Sequence, residues 1–280
     1  MTSQQLTFEA RRDAFLARLD AGRAIMGVVN VTPDSFSDGG LFLAREAALA
    51  QAKKLVADGA DIVDVGAEST RPGHVPISSE EEWRRLEPML ASLVELAGAP
   101  VSIDTYKAET ARRALAAGVV MINDVWGLQR DPAMAEVIAD ARAIVVIMHN
   151  REETEEGIDI VDDMKRFFER SLEAARGAGV AERFILLDPG VGFGKTRAQN
   201  YAALRAIPQM RRLGFPVLVG VSRKSIFRDL SGERIDGRLI GTLAANIVAA
   251  GLGAQLFRVH DALEHKSAFA VLEALHFGEQ

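Results

Sequence analysis

From Ala24 onward the sequence alternates eight times between a short apolar run and a longer stretch with helical spacing, and this alternation constrains the fold more than any other feature. The runs fall at 24–30, 62–66, 101–104, 120–124, 144–148, 184–188, 217–221 and 255–259. Between them lie segments such as AREAALAQAKKLVADGA, EEEWRRLEPMLASLVELA and VDDMKRFFERSLEAARGAG, rich in alanine and leucine with charges three and four apart. Eight such units in roughly 250 residues match a closed barrel, whereas an open doubly wound sheet more often stops at about five or six strands. The expected fold is α/β: a single (β/α)8 TIM barrel over residues 24–280, preceded by a helical lead-in over 1–23 placed to cover the barrel bottom.

Composition narrows the function. Hydrophobic residues at 48% and charged residues at 26% are enough for a full core. The longest apolar runs, such as 143–148, are far shorter than the roughly 20 residues of a bilayer-spanning helix. The first twenty residues lack a leader's apolar core, so an untargeted chain is expected. With no cysteine there is no disulfide framework, thiolate metal site or cysteine nucleophile, and a reducing, cytoplasmic compartment is expected. A net charge of -6 argues against nucleic acid as partner, because phosphate binding over an extended surface needs a basic face.

In this fold the chemistry sits at the carboxyl ends of the strands. Those ends read NVTPDSFSDGG, GAESTRPGHVP, DTYK, NDVWG, HNREE, DPGVGFGKT, SRKS and RVHD. One polar strand end is an ordinary turn signal; eight of them point to a shared site. Asp104, Asn123 and Asp188 offer acceptors for the edge of a flat heterocycle bearing several N–H groups. The alternative for these carboxylates is pairing inside the barrel with Lys224 or Arg258, since an unpaired buried carboxylate costs several kcal/mol. Lys224, Arg223, Arg258, His260 and Arg71 supply positive charge for an anion such as a diphosphate. SRKS is expected to open a helix whose N–H groups reinforce that charge. The segment ending in Gly194 and Lys195 is not a phosphate-binding P-loop, because Pro189 stands where its first glycine is required. No clustered metal ligands appear, leaving only an oxygen-ligated cation carried in with a phosphate substrate.

The segments MGVVNVTPDSFSDGG, DVGAESTRPG, SIDT, INDVWG, LLDPGVGFGK, GVSRKS and RVHD closely resemble dihydropteroate synthase over roughly residues 24–275. The first two look like that family's mobile catalytic loops and set it apart from pterin-dependent methyltransferases, which share the barrel; a barrel that only binds pterin is the third reading. The resemblance implies condensation of a dihydropterin-methyl diphosphate with p-aminobenzoate, giving dihydropteroate and pyrophosphate. It implies pterin contacts from Asp104, Asn123, Asp188, Lys224 and Arg258, and diphosphate contacts from Asn30, Thr70, Arg71, Arg258 and His260. It also implies a p-aminobenzoate pocket from Phe36, Thr70, Pro72, Phe193, Lys224 and Ser225, whose carboxylate sits at a helix start near Ser225. Asp104, Lys224, Asp38 and Arg71 would carry catalysis, and Asn30 would bind Mg2+ with the diphosphate. Replacing Asp104 is expected to depress kcat/KM far more than replacing Lys195. Sulfonamide competition and a homodimer built on the last helices are expected as well. Departures from the family pattern fall at Ala67, at Arg228 and in HNREE.

Overall fold

A computed structural model describes residues 7–31, 40–69, 75–227, 230 and 235–277. In chain order the elements are α1 (Phe8–Asp20), β1 (Ala24–Asn30), α2 (Gly40–Ala57), β2 (Ile62–Gly66), α3 (Ser79–Leu96), β3 (Val101–Asp104), α4 (Ala108–Ala116), β4 (Met121–Asp124) and α5 (Met134–Ala141). There follow β5 (Ile144–Met148), α6 (Ile160–Gly177), β6 (Ile185–Asp188), α7 (Arg197–Arg205), α8 (Ile207–Arg211), β7 (Leu218–Val219), α9 (Ile235–Gly251), β8 (Leu256–Val259) and α10 (Ala262–Phe277). The eight strands pair in parallel in the order β6-β5-β4-β3-β2-β1-β8-β7. A single bridge between Leu187 and Val217 joins the two edges and closes the barrel. The expected runs are all strands, trimmed by a residue or more at β4, β6, β7 and β8.

Strand parity sorts the side chains into two cores. Residues pointing outward, among them Val63, Val65, Ile103, Ile122, Val145 and Leu187, pack under the helices. Their neighbours point inward. Met26, Ile62, Met121, Ile144, Val146, Leu186, Leu218 and Leu256 fill the barrel interior with hydrocarbon. Complete burial of a side chain of this size stabilises by about 1.5–3 kcal/mol, so the two layers dominate the fold's stability.

The lead-in does form a helix and caps the amino end of the barrel. Thr7 starts it by accepting a hydrogen bond from the Ala10 amide at 3.2 Å. Phe15 and Leu19, 2% and 1% exposed, join the inner apolar cluster. Arg12, also buried, lies 4.5 Å over the Phe184 ring and donates to the Arg142 carbonyl at 2.9 Å. None of the helices is long and apolar enough to cross a membrane, among the described residues.

Candidate active site

The parity that packs hydrocarbon at the bottom of the barrel places polar groups above it. Asp64, Asp104, Asn123, Asp188 and Arg258 share the inward side of their strands. Register aligns Asn30, Gly66, Asp104 and Asn123 across four adjacent strands in one layer. A Cβ at Gly66 would stand 3.6 Å from the Asp104 Cβ and 3.9 Å from Asn30 Oδ1. One at Gly220 would stand 3.8 Å from Asp188 Oδ2 and 3.9 Å from the Arg258 Cβ. These two glycines therefore keep the space between the functional groups open.

Arg258 organises the mouth. Its Nε donates to Asp64 Oδ2 at 2.6 Å and its Nη2 to Asp104 Oδ2 at 2.9 Å. Asn123 Nδ2 reaches the same Asp64 oxygen at 3.4 Å. The alternative of an internal pair thus holds for one oxygen of Asp104. The other oxygens tell more. Asp64 Oδ1, Asp104 Oδ1 and Asn123 Oδ1 are buried without a hydrogen-bond partner among the described residues. A buried acceptor left in this state costs about 1–3 kcal/mol, more when charged, and three such acceptors in one cleft suit a ligand edge bearing several N–H donors.

The electrostatics follow from burial. Burial pushes the Asp104 carboxyl up to about 7, against the pull of Arg258 and with help from neighbouring Asp64. Asp188 is also raised by burial, although the Gly190 amide donates to it at 2.7 Å. Burial brings the Lys224 ammonium down to about 8, with Asp188 opposing. Lys224 Nζ donates to the Val191 carbonyl and lies 4.6 Å over the Phe193 ring, so two of the residues expected in one pocket are in contact.

Other expected residues fall at the rim or away from it. Asn30 is exposed at the end of β1. His260 Nδ1 meets the Ser222 hydroxyl at 2.9 Å, and its backbone amide donates to the same oxygen at 3.1 Å. Arg223 does not join the anion site: it is held on Asp261, with Nε at 3.0 Å, and its φ of 57° turns the chain. That turn precedes the expected helix start. The Lys224 amide closes back on the Val221 carbonyl at 3.2 Å, and Ser225–Phe227 is one 3-10 turn. Ser225 is exposed on it; Leu230 is helical, and where that helix starts lies outside the described residues. Phe36, Asp38, Thr70, Arg71, Pro72 and Arg228 lie outside the described residues.

Two participants went unread in the sequence. Asp64 is fully buried in the apolar run IVDVG, where an acidic residue two positions before a strand end signals an inward-facing charge. Lys195 is 8% exposed and donates to the carbonyls of Gly190 at 2.8 Å, Phe193 at 3.0 Å and His149 at 3.3 Å.

Fold and mouth together define a barrel enzyme built to take a small molecule rich in N–H donors. Comparison with known proteins makes this specific. A family model described as pterin binding enzyme matches residues 26–260. The dihydropteroate synthase of Clostridium beijerinckii is 43% identical over 245 residues, 87% of this chain and 91% of that protein. The crystal structure of dihydropteroate synthase from Clostridium difficile in the presence of pteroic acid has a TM-score of 0.87 at 46% identity, covering 91% of this chain and 97% of that one. The Xanthomonas albilineans enzyme with 4-aminobenzoic acid also has a TM-score of 0.87, at 44% identity, with 93% and 95% covered. The chain belongs to the pterin binding enzymes and, within them, to the dihydropteroate synthases, which are transferases of folate biosynthesis.

Proposed function

We propose that this chain condenses 6-hydroxymethyl-7,8-dihydropterin diphosphate with p-aminobenzoate, and that the inward polar layer of the barrel holds the pterin. The observation that carries the assignment is the convergence of unpartnered acceptors beside Arg258 and Lys224. Asp104, Asn123 and Asp188 accept from the pterin's N–H edge, Lys224 donates to its carbonyl side, and Arg258 stacks on the ring. The carbon–oxygen bond to the diphosphate breaks with its electron pair leaving on oxygen. The amine lone pair then forms the new carbon–nitrogen bond, and the amine proton passes to water or pyrophosphate. Ionised Asp104, fixed in a dry site, stabilises the positive charge that develops on the pterin. Arg258 stays anchored on Asp64 while its Nη2 turns from Asp104 toward the leaving group.

Asn30, Thr70, Arg71 and His260 are proposed to meet the diphosphate. Phe36, Thr70, Pro72, Phe193, Lys224 and Ser225 are proposed to line the p-aminobenzoate pocket, with Asp38 and Arg71 completing catalysis. A divalent cation fits Asn30, a hard amide oxygen exposed beside Gly66 and Asp104. No group of three or more His, Cys, Asp or Glu suited to a metal ion occurs among the described residues. Asn30 would be one protein ligand to Mg2+, which keeps several waters and takes phosphate oxygens. The chemistry a cation held there would supply is neutralisation of charge on the leaving diphosphate.

The test is pyrophosphate release, expected only when both the pterin diphosphate and p-aminobenzoate are present; release that ignores the amine would overturn the assignment. Because Phe193 and Lys224 form the wall of a p-aminobenzoate pocket, sulfonamides are expected to compete with that substrate. Turnover unchanged by a large sulfonamide excess would count against the pocket. A second copy of the chain is proposed to cover the apolar face of the last helices, where Ile240, Val248, Val271 and Leu275 are 60–79% exposed. A monomer mass by sedimentation at micromolar concentration would remove that proposal.

A further inference from the structure

Lys195 is nearly buried, yet none of its hydrogen bonds goes to a carboxylate. Its three protons meet three backbone carbonyls, one from the end of β5 and two from the loop after β6, and this saturates the ammonium as a donor. Lys195 cannot reach a substrate without releasing one of them.

The loops need such a clamp because their backbones touch. A Cβ at Gly190 would lie 1.7 Å from the His149 carbonyl oxygen, and one at Gly194 would lie 2.4 Å from the Arg151 oxygen. With φ at 63° and 56°, these glycines adopt turns that side chains resist. Packing the loops this closely brings three carbonyl dipoles to one point, where they repel unless a cation with three donors sits among them. The loop so fixed carries Phe193, whose ring lies under Lys224, and Val191, whose carbonyl holds the Lys224 ammonium. Only the Asp188 carboxylate meets the clamped loop, accepting from the Gly190 amide at 2.7 Å; its backbone is fixed by the strands. Asp188 is placed by strand pairing with Met148, and its own carbonyl accepts from the His149 amide at 2.9 Å.

We infer that Lys195 is a positioning residue for the aromatic-amine pocket, holding the β6 loop so that Phe193 and Lys224 face the second substrate while the pterin site stays intact. This rests on the function proposed above. It predicts a split that general damage to the fold would not produce. Lys195→Met, of similar length but without charge or donors, should raise KM for p-aminobenzoate about tenfold or more, the cost of a lost charged hydrogen bond. The same variant should hold kcat within about threefold, and Kd for 6-hydroxymethylpterin by titration calorimetry within about twofold.

Any other pattern in the folded variant overturns the inference, including an unchanged p-aminobenzoate KM or equal losses at both substrates. Should Lys195→Met not fold, Gly194→Ala decides by the same three readings, because its methyl group would meet the Arg151 carbonyl oxygen at 2.4 Å and displace the loop. Failure of the wild-type chain to bind pterin or to release pyrophosphate would instead remove the assignment on which the inference rests.

Discussion

Two clusters of buried acid lie within one barrel, and they are built in opposite ways. Beside the barrel, between α3 and α4, Glu82 is 1% exposed and accepts from Thr110 at 2.7 Å, Thr105 at 3.0 Å and Lys107 at 3.2 Å. Lys107 also pairs with Glu68, which takes the Tyr106 hydroxyl at 3.0 Å. In the mouth, Asp64, Asp104 and Asn123 each keep an oxygen that no donor among the described residues meets. Burial raises the pKa of Glu82 as it raises that of Asp104, so a perturbed pKa does not separate the two clusters. Unmet acceptors do. The first cluster completes itself and holds the fold, while the second is left for a ligand to complete.

Mutations should respond accordingly, and the largest response is expected at Asp104. Asp104→Asn should lower kcat/KM by about a thousandfold through loss of charge stabilisation. The same change should raise the ligand-free Tm at pH 8 by about 2 °C or more. The sign follows from linkage: with a folded pKa near 7, stability present below the usual carboxylate range is withdrawn as pH rises through about 7, and asparagine is spared that loss. The ionised carboxylate is the working form, so wild-type kcat/KM should fall about tenfold per unit below pH 7, a limb that Asp104→Asn abolishes. A Tm lowered along with activity would mean that Asp104 is structural after all.

Glu82→Ala should behave in reverse, costing about 3 kcal/mol of stability with kcat/KM held within about threefold once folded. A kinetic loss matching that of Asp104→Asn would erase the contrast. Asp64→Asn is expected to fall between them. Arg258 loses its anchor but keeps Asp104, so kcat/KM should drop about tenfold to a hundredfold with little change in Tm; full activity would show that Asp64 does not align the guanidinium.

Most of the architecture was legible in the sequence because the two periodicities differ and turn residues mark the strand ends. Inward polar residues at strand ends, such as Asp104, Asn123 and Asp188, were legible for the same reason. Asp64 was not, since the surrounding IVDVG run reads as plain strand core until parity is assigned. Arg223 and Arg258 look alike in one dimension, and only the turn at Arg223 separates a rim pair from the arginine at the centre. Lys195 works through backbone carbonyls, which leave no mark on residue identity. The helix anticipated near Ser225 is met in the described residues by a 3-10 turn and by helical Leu230, and its start lies outside them; the left-handed turn at Arg223 before it is a tertiary feature, fixed by the Arg223 amide donating to Thr242 on α9 at 3.0 Å.

The α1 helix has a consequence beyond closing a hole. Phe15 and Leu19 lie beneath inward-facing hydrocarbon that is almost entirely dry, and this hydrocarbon lies directly below the charged layer. The lead-in is therefore an insulator, keeping water from screening Asp104 and Lys224 from below. Perforating it with Phe15→Ala should move the acid limb of the kcat/KM profile from near pH 7 toward ordinary carboxylate values, though no atom of that side chain belongs to the mouth. An unmoved limb would assign the whole shift to the mouth's own walls.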